Sequence, residues 1–217
     1  MAKPFNLIVF DWDGTLMDSE ARIVNCLGAA VADLGLPERG ADDFRNVIGL
    51  GLPEAIDTLY PGSGPDLHRQ LTERYRHHYL VADDTPSVLF EEAEATVAAL
   101  AEKGYFLAVA TGKGRQGLDK VLNETGMRGY FHVTRCADET CSKPNPQMLH
   151  EVMDFVGAEP GETLMIGDSE YDMLLAKNAG TAGLAVSYGV HELQRLLQHE
   201  PLGHIDAIGE LAPWLSR

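Results

Sequence analysis

The chain has 217 residues, enough to bury a sizeable core as one domain with an insertion or as two small domains. Its 45% hydrophobic and 23% charged residues match a water-soluble globular protein. A formal net charge of −16 argues against nucleic acid or an anionic membrane as the partner, because both need a basic face.

The opening "MAKPFNLIVFDWDG" has one Lys and a short apolar stretch, which fits neither a signal peptide nor a membrane span, so a cytoplasmic location is expected. Cys26, Cys136 and Cys141 are odd in number and lack C-x-x-C spacing, so they are expected as free thiols. His77 and His78 fall in a polar helical pattern and are expected to be solvated.

"NLIVF" is a short continuous apolar run of the kind buried in parallel sheets. It ends in Asp11 and Asp13. Unpaired buried carboxylates cost several kcal/mol, so this pair needs a cation, a proton or a chemical task. A helix follows over "SEARIVNCLGAAVADLG", with Ile23, Val24, Leu27, Val31 and Leu34 at helical spacing. Two more helices are expected, "LPEAIDTLY" and "GPDLHRQLTERYRHHYLVAD", each opened by a Pro. Residues 18–83 are thus expected to be all helix and loop.

The rhythm then changes to helix "EEAEATVAALAEKG", strand "YFLAVAT", helix "QGLDKVLNETG", strand "YFHVTR", helix "NPQMLHEVMDFVG", strand "TLMIGD", helix "EYDMLLAKNAG" and strand "AGLAVSY". Strand alternating with helix means a parallel sheet covered on both faces, a Rossmann-like α/β core. The first strand belongs to that sheet. The expected organisation is a discontinuous core of residues 1–17 and 84–217 with an inserted all-helical cap over 18–83.

Ligands of open parallel sheets bind beyond the carboxyl ends of the strands. Asp11 and Asp13 follow the first strand, Thr111-Gly112-Lys113 a second, and Gly167-Asp168 a later one; Lys143 lies in the loop "CSKPNPQ". Three acids, a hydroxyl and an ammonium at one sheet edge make an ion site and a phosphate site. Asp172, in "S-x-x-D" after Ser169, caps a helix, serves the site, or does both. Lys113 and Arg115 lie in "TGKGRQG", whose glycine spacing matches neither the dinucleotide nor the P-loop pattern, and solvated side chains are the simpler expectation.

In this order, "DWDGTL", "TGK", "SKPNPQM" and "GDSEYD" resemble the four motifs of the haloacid dehalogenase superfamily of phosphatases. A helical cap after the first motif resembles its phosphoglycolate-phosphatase and β-phosphoglucomutase branch. The resemblance covers essentially the whole chain. It implies Asp11 as nucleophile, Asp13 as acid/base, Thr111, Gly112 and Lys143 around the phosphoryl group, and Asp168 as a magnesium ligand.

The chemistry is consistent with those roles. Phosphoryl transfer needs in-line attack, neutralised oxygens and a proton for the leaving alkoxide. A hard divalent cation, Mg²⁺, held by Asp11 and Asp168 and by Asp13 through its backbone carbonyl, offsets repulsion between nucleophile and dianion. Backbone N–H groups near Gly112 and Trp12 are expected to help. Gly14 lets the chain turn away from the site. The partner is a small phosphate ester.

A mutase of that branch would carry a His and an Arg where this chain has Ile23 and Leu52, and tends to carry Glu where it has Gly167. A phosphonate-cleaving relative needs a cap Lys, and residues 18–83 contain none. A dehalogenase has no need of Asp13. A signalling receiver module shares an Asp acceptor, a hydroxyl and a Lys, but is shorter and uncapped. These departures favour a hydrolase. Its specificity loop is expected in "RNVIGLGLPEAID", with Arg45, Gly49 and Gly51 facing the site. Phosphoglycolate, a sugar phosphate and a nucleoside monophosphate all remain open as substrates.

Overall fold

The structure, a computed structural model, describes residues 4–216; residues 1–3 and 217 of the expected core lie outside that range. β1 (Leu7–Phe10) is buried along its whole length. A short β2 (Met17–Asp18) follows, and then four helices: α1 (Glu20–Asp33), α2 (Ala41–Asn46), α3 (Leu52–Leu59) and α4 (Pro65–His77). The chain returns through β3 (Val88–Leu89) and α5 (Ala93–Glu102). It then alternates through β4 (Phe106–Thr111), α6 (Arg115–Thr125), β5 (Val133–Cys136), α7 (Gln147–Val156), β6 (Thr163–Gly167), α8 (Glu170–Ala179) and β7 (Ala182–Val186). Short α9 (Leu193–Leu197), β8 (His204–Ile205) and α10 (Leu211–Trp214) close the described chain.

Six strands form one parallel sheet in the order β5-β4-β1-β6-β7-β8. β1 is central, flanked by β4 and β6, which is why its run is apolar on both faces. Ile8 and Phe10 pack into one core with Val97 and Leu100 of α5 and Leu118 and Leu122 of α6. Leu7 and Val9 point the other way, against Met148 and Val152 of α7 and Leu175 of α8. The sheet is therefore covered on both faces, and the carboxyl ends of β1, β4 and β6 meet at one edge.

The helical block has its own apolar cluster, including Ile23, Leu27 and Val31 of α1, Phe44 of α2, Ile56 of α3 and Leu71 of α4. None of the described helices is long and apolar enough to cross a membrane. All three cysteines are free thiols, and burial pushes Cys26 and Cys136 up to about 12.

Several local expectations need correction. The segment 18–83 is not purely helix and loop, because Asp18 pairs with Val88 and Met17 with Leu89 in an antiparallel ribbon. The last expected helix ends as an α-helix at His77 and widens into one π-helical turn over His78–Ala82. The strand expected from Tyr130 starts at Val133, because Met127–Tyr130 forms a 3₁₀ turn. His77 is exposed as expected, but His78 is not simply solvated: its Nε2 lies 2.8 Å from Asp33 Oδ2 and ties the π turn to α1.

Candidate active site

Asp11 directly follows β1, and its backbone N–H still bonds to the Ile166 carbonyl of β6 at 2.9 Å. The chain then breaks out of the sheet. Trp12 donates its N–H to Asp11 Oδ1 at 2.7 Å, and Lys143 Nζ stands 2.9 Å from the same oxygen. Asp11 Oδ2 is buried and has no hydrogen-bond partner among the described residues. Burial raises the Asp11 carboxyl well above the usual carboxylate range; Lys143 opposes the shift, and neighbouring aspartates add to it.

Lys143 is fully enclosed and bridges Asp11 to Asp172, with its Nζ 2.6 Å from Asp172 Oδ1. Burial would lower this ammonium's pKa, but the two carboxylates override it and hold it above its ordinary range. Asp172 also caps α8: its Oδ2 accepts from the Ser169 N–H at 3.0 Å and from Ser169 Oγ at 2.7 Å. Both roles weighed for Asp172 therefore coincide, the cap and the place beside Lys143.

Asp168 follows β6. Its Oδ1 accepts from Thr15 Oγ1 at 2.7 Å and its Oδ2 from the Val190 N–H at 2.9 Å. Burial, reinforced by Asp172, pushes its carboxyl up to about 7, against these two donors. Gly14, at φ +79°, makes the approach feasible: a Cβ there would lie 2.1 Å from Asp168 Oδ2.

Asp11, Asp168 and Asp172 bring carboxylate oxygens within 4.8 Å of one another. Lys143 supplies one positive charge to these three acids, which leaves the excess negative. Buried like charges with an orphaned oxygen fit a hard, oxygen-seeking divalent cation such as Mg²⁺. The side chain of Asp13 does not join this group. Its Oδ1 instead accepts from Lys113 Nζ at 2.6 Å and from Ser19 Oγ.

Thr111, at the end of β4, is buried and accepts the Lys113 N–H at 3.2 Å through Oγ1. Gly112 lies under the carbonyls of Gly49 and Leu50, where a Cβ would come within 2.4 Å of Leu50 O. The Gly51 N–H donates to Ser142 Oγ at 2.7 Å, beside Lys143. Gly49 and Gly51 thus lie against Gly112, Ser169 and Ser142. Arg45 does not: it is half-exposed at the end of α2, paired with Glu20 at 2.7 Å and Asp42 at 2.6 Å. The Trp12 N–H serves Asp11. Arg115 holds Glu139 and Asp119, away from these carboxylates.

The "haloacid dehalogenase-like hydrolase" family model matches residues 8–186, most of the chain. The chain belongs to that family. The hydrolase is 32% identical over 211 residues to a Dickeya dadantii protein named "Probable phosphatase IndB", covering 94% of this chain and 91% of the relative. It is 31% identical to a phosphoglycolate phosphatase of Vibrio vulnificus, covering 96% and 95%. In fold it resembles a hydrolase of Pseudomonas syringae, with TM-score 0.89 and 21% identity over 97% and 98% of the chains.

Some residues near the hydrolase's site depart from the sequence expectation or were not part of it. Lys113 is buried, not solvated: its ammonium lies 4.5 Å from the centre of the Tyr79 ring. Burial lowers its pKa but Asp13 outweighs this, so Lys113 is held above its ordinary range. Ser19 stands where a helix cap belongs, yet its hydroxyl makes no cap and goes to Asp13. Asn46 of α2 is gripped by the core: Tyr171 donates to its carbonyl at 2.8 Å and Arg195 to its Oδ1 at 2.7 Å. No pattern in one chain pairs Asn46 with residues 125 and 149 positions away.

Proposed function

We propose that this hydrolase is a phosphatase that cleaves small phosphorylated metabolites through an aspartyl-phosphate on Asp11, with Mg²⁺ as cofactor. The observation that carries the reading is Asp11 itself. It stands at the carboxyl end of the central strand with Oδ1 pinned by Trp12 and Lys143 and Oδ2 unpartnered. Half the carboxylate is oriented and half is open for bond formation. The phosphatase names of its relatives from Dickeya dadantii and Vibrio vulnificus support the same reading.

Asp11, Asp168 and Asp172 would hold the cation, which when bound supplies charge neutralisation for the incoming phosphoryl oxygens. Lys143 and Thr111 cover further oxygens, and Lys143 keeps the Asp11 carboxylate oriented as it attacks phosphorus. Both donors to Asp13 land on Oδ1, while Oδ2 takes no hydrogen bond from the described residues. Asp13 enters the reaction protonated on that oxygen, with Oδ1 still accepting from Lys113, and gives this proton to the leaving alkoxide. It then takes one from the water that cleaves the acyl phosphate, returning Asp11 unchanged.

Residues 18–83 act as a cap on the core of 1–17 and 84–217. Its loop carbonyls on Gly112 and its Asn46 clasp close the site over a ligand and exclude competing water. The mutase reading gains nothing, because Ile23 and Leu52, where its His and Arg would stand, are apolar and line the cavity beside Asp13. Mass spectrometry after brief exposure to p-nitrophenyl phosphate tests the assignment. Asp11→Asn should give no adduct and no turnover, and Asp13→Asn should accumulate phosphoprotein. A phosphoryl group on any residue other than Asp11 would refute it.

A further inference from the structure

Between the helical block and the sheet edge lies a cavity of about 180 Å³ that includes Asp13, Gly112 and Lys113 in its walls. On the reading of Asp13 as the leaving-group acid, on which this inference rests, the cavity is where the alcohol part of the ester sits. Its walls are mainly apolar: Ile23 and Leu27 of α1, Ile48, Leu52 of α3, Tyr75 of α4, and Tyr79 of the π turn. The Tyr75 and Tyr79 rings stack at 5.8 Å and offer a flat aromatic wall.

Both cations in the wall are already engaged by neighbouring groups. Lys113 donates to Asp13 Oδ1 at 2.6 Å, and half-exposed Arg76 is 3.4 Å from Asp138. The apolar remainder of the wall offers a carboxylate on the leaving group no donor, and desolvating one against it is costly. The neutral polar side chains are few, chiefly Thr72 and Gln116 beside the tyrosine hydroxyls. A sugar ring would leave most of its hydroxyls without partners. An apolar cavity of roughly 150 Å³ accepts a benzene ring, so this one suits a ring of that size with a short arm.

We infer that the preferred substrate is the phosphate monoester of an uncharged, largely apolar alcohol about one six-membered ring in size, aromatic or alicyclic. Glycolate, sugars and nucleosides are then poor leaving groups for this enzyme. Glycolate is too small to cover the apolar wall, sugars are too polar, and nucleosides are too large and too polar. The apolar wall discriminates by desolvation, which is worth about ten-fold or more for a group of this size.

The test is kcat/KM with Mg²⁺ for benzyl phosphate and cyclohexylmethyl phosphate against phosphoglycolate and glucose 6-phosphate. These are all alkyl esters, so leaving-group acidity does not dominate the comparison. The ring esters should lead by about ten-fold or more. Leu52→Arg, which brings an uncompensated cation into the wall, should shift the ratio toward phosphoglycolate, and Leu52→Met should preserve it. Phosphoglycolate or glucose 6-phosphate turned over as well as the ring esters by the wild-type enzyme overturns the inference and leaves the phosphatase reading standing. Failure to turn over any ester, p-nitrophenyl phosphate included, by folded enzyme overturns both.

Discussion

Lys113 holds Asp13 in the wall of the cavity, ammonium to Oδ1 at 2.6 Å, with both side chains almost wholly buried. An ion pair in such a place is conditional. Each partner is tolerable only because of the other, and removing one leaves a buried charge that costs about 3–5 kcal/mol. Lys113→Met should therefore lower the unfolding free energy in urea by about that amount, while Lys113→Met with Asp13→Asn should recover most of it. A loss under about 1 kcal/mol in the single variant would mean that water reaches the pair freely.

Gly14 should tolerate no side chain. An alanine there meets both the left-handed backbone, φ +79°, and Asp168, whose Oδ2 would lie 2.1 Å from the new Cβ. Backbone strain and overpacking together amount to about 3 kcal/mol or more, and relief requires Asp168 to move. Gly14→Ala should be both less stable and inactive; thermal unfolding and turnover measured together decide it. Full activity would show that Asp168 need not keep its position.

Removal of the cation should abolish turnover, and chelator followed by Mg²⁺ should restore it. A second readout does not depend on activity. Mg²⁺ should raise the melting temperature of the wild type by offsetting repulsion among Asp11, Asp168 and Asp172. Asp168→Asn should respond far less, because one charged donor is gone. Unchanged turnover in excess chelator contradicts the proposed cofactor.

The Asn46 clasp should matter to the rate more than to stability. Asn46→Ala deletes the Arg195 bond at 2.7 Å between α2 and the core and leaves the apolar cluster of the block intact. We expect kcat/KM to fall by roughly ten-fold as the closed form loses population, with little change in the unfolding midpoint. Equal losses in both would indicate a structural contact only.

The sequence showed the sheet because its strands are central and continuous: "NLIVF" is apolar on both faces, Asp11 and Asp168 follow directly on β1 and β6, and Thr111 ends β4. What stayed hidden depends on the contact between the helical block and the sheet. Lys113 looked like an exposed loop lysine because Tyr79, which covers it, belongs to a distant element. Arg45 looked like a site residue because it is near Gly49 and Gly51 in the chain. α2 ends between them, however, and its arginine points to Glu20. Two-residue strands such as β2 and β3 carry no periodicity to detect.

The β2–β3 ribbon has a consequence for how this chain could have been assembled. Because Met17 is opposite Leu89 and Asp18 opposite Val88, the helical block leaves and rejoins the sheet domain about one strand spacing apart, about 5 Å. A short turn could bridge that gap, so the block behaves as a cassette whose length hardly affects the closure entropy of the rest. The block keeps an apolar interior of its own, yet Ser19 bonds to Asp13 and Tyr79 covers Lys113, so any replacement block would have to restore those two contacts to keep the carboxylates in place.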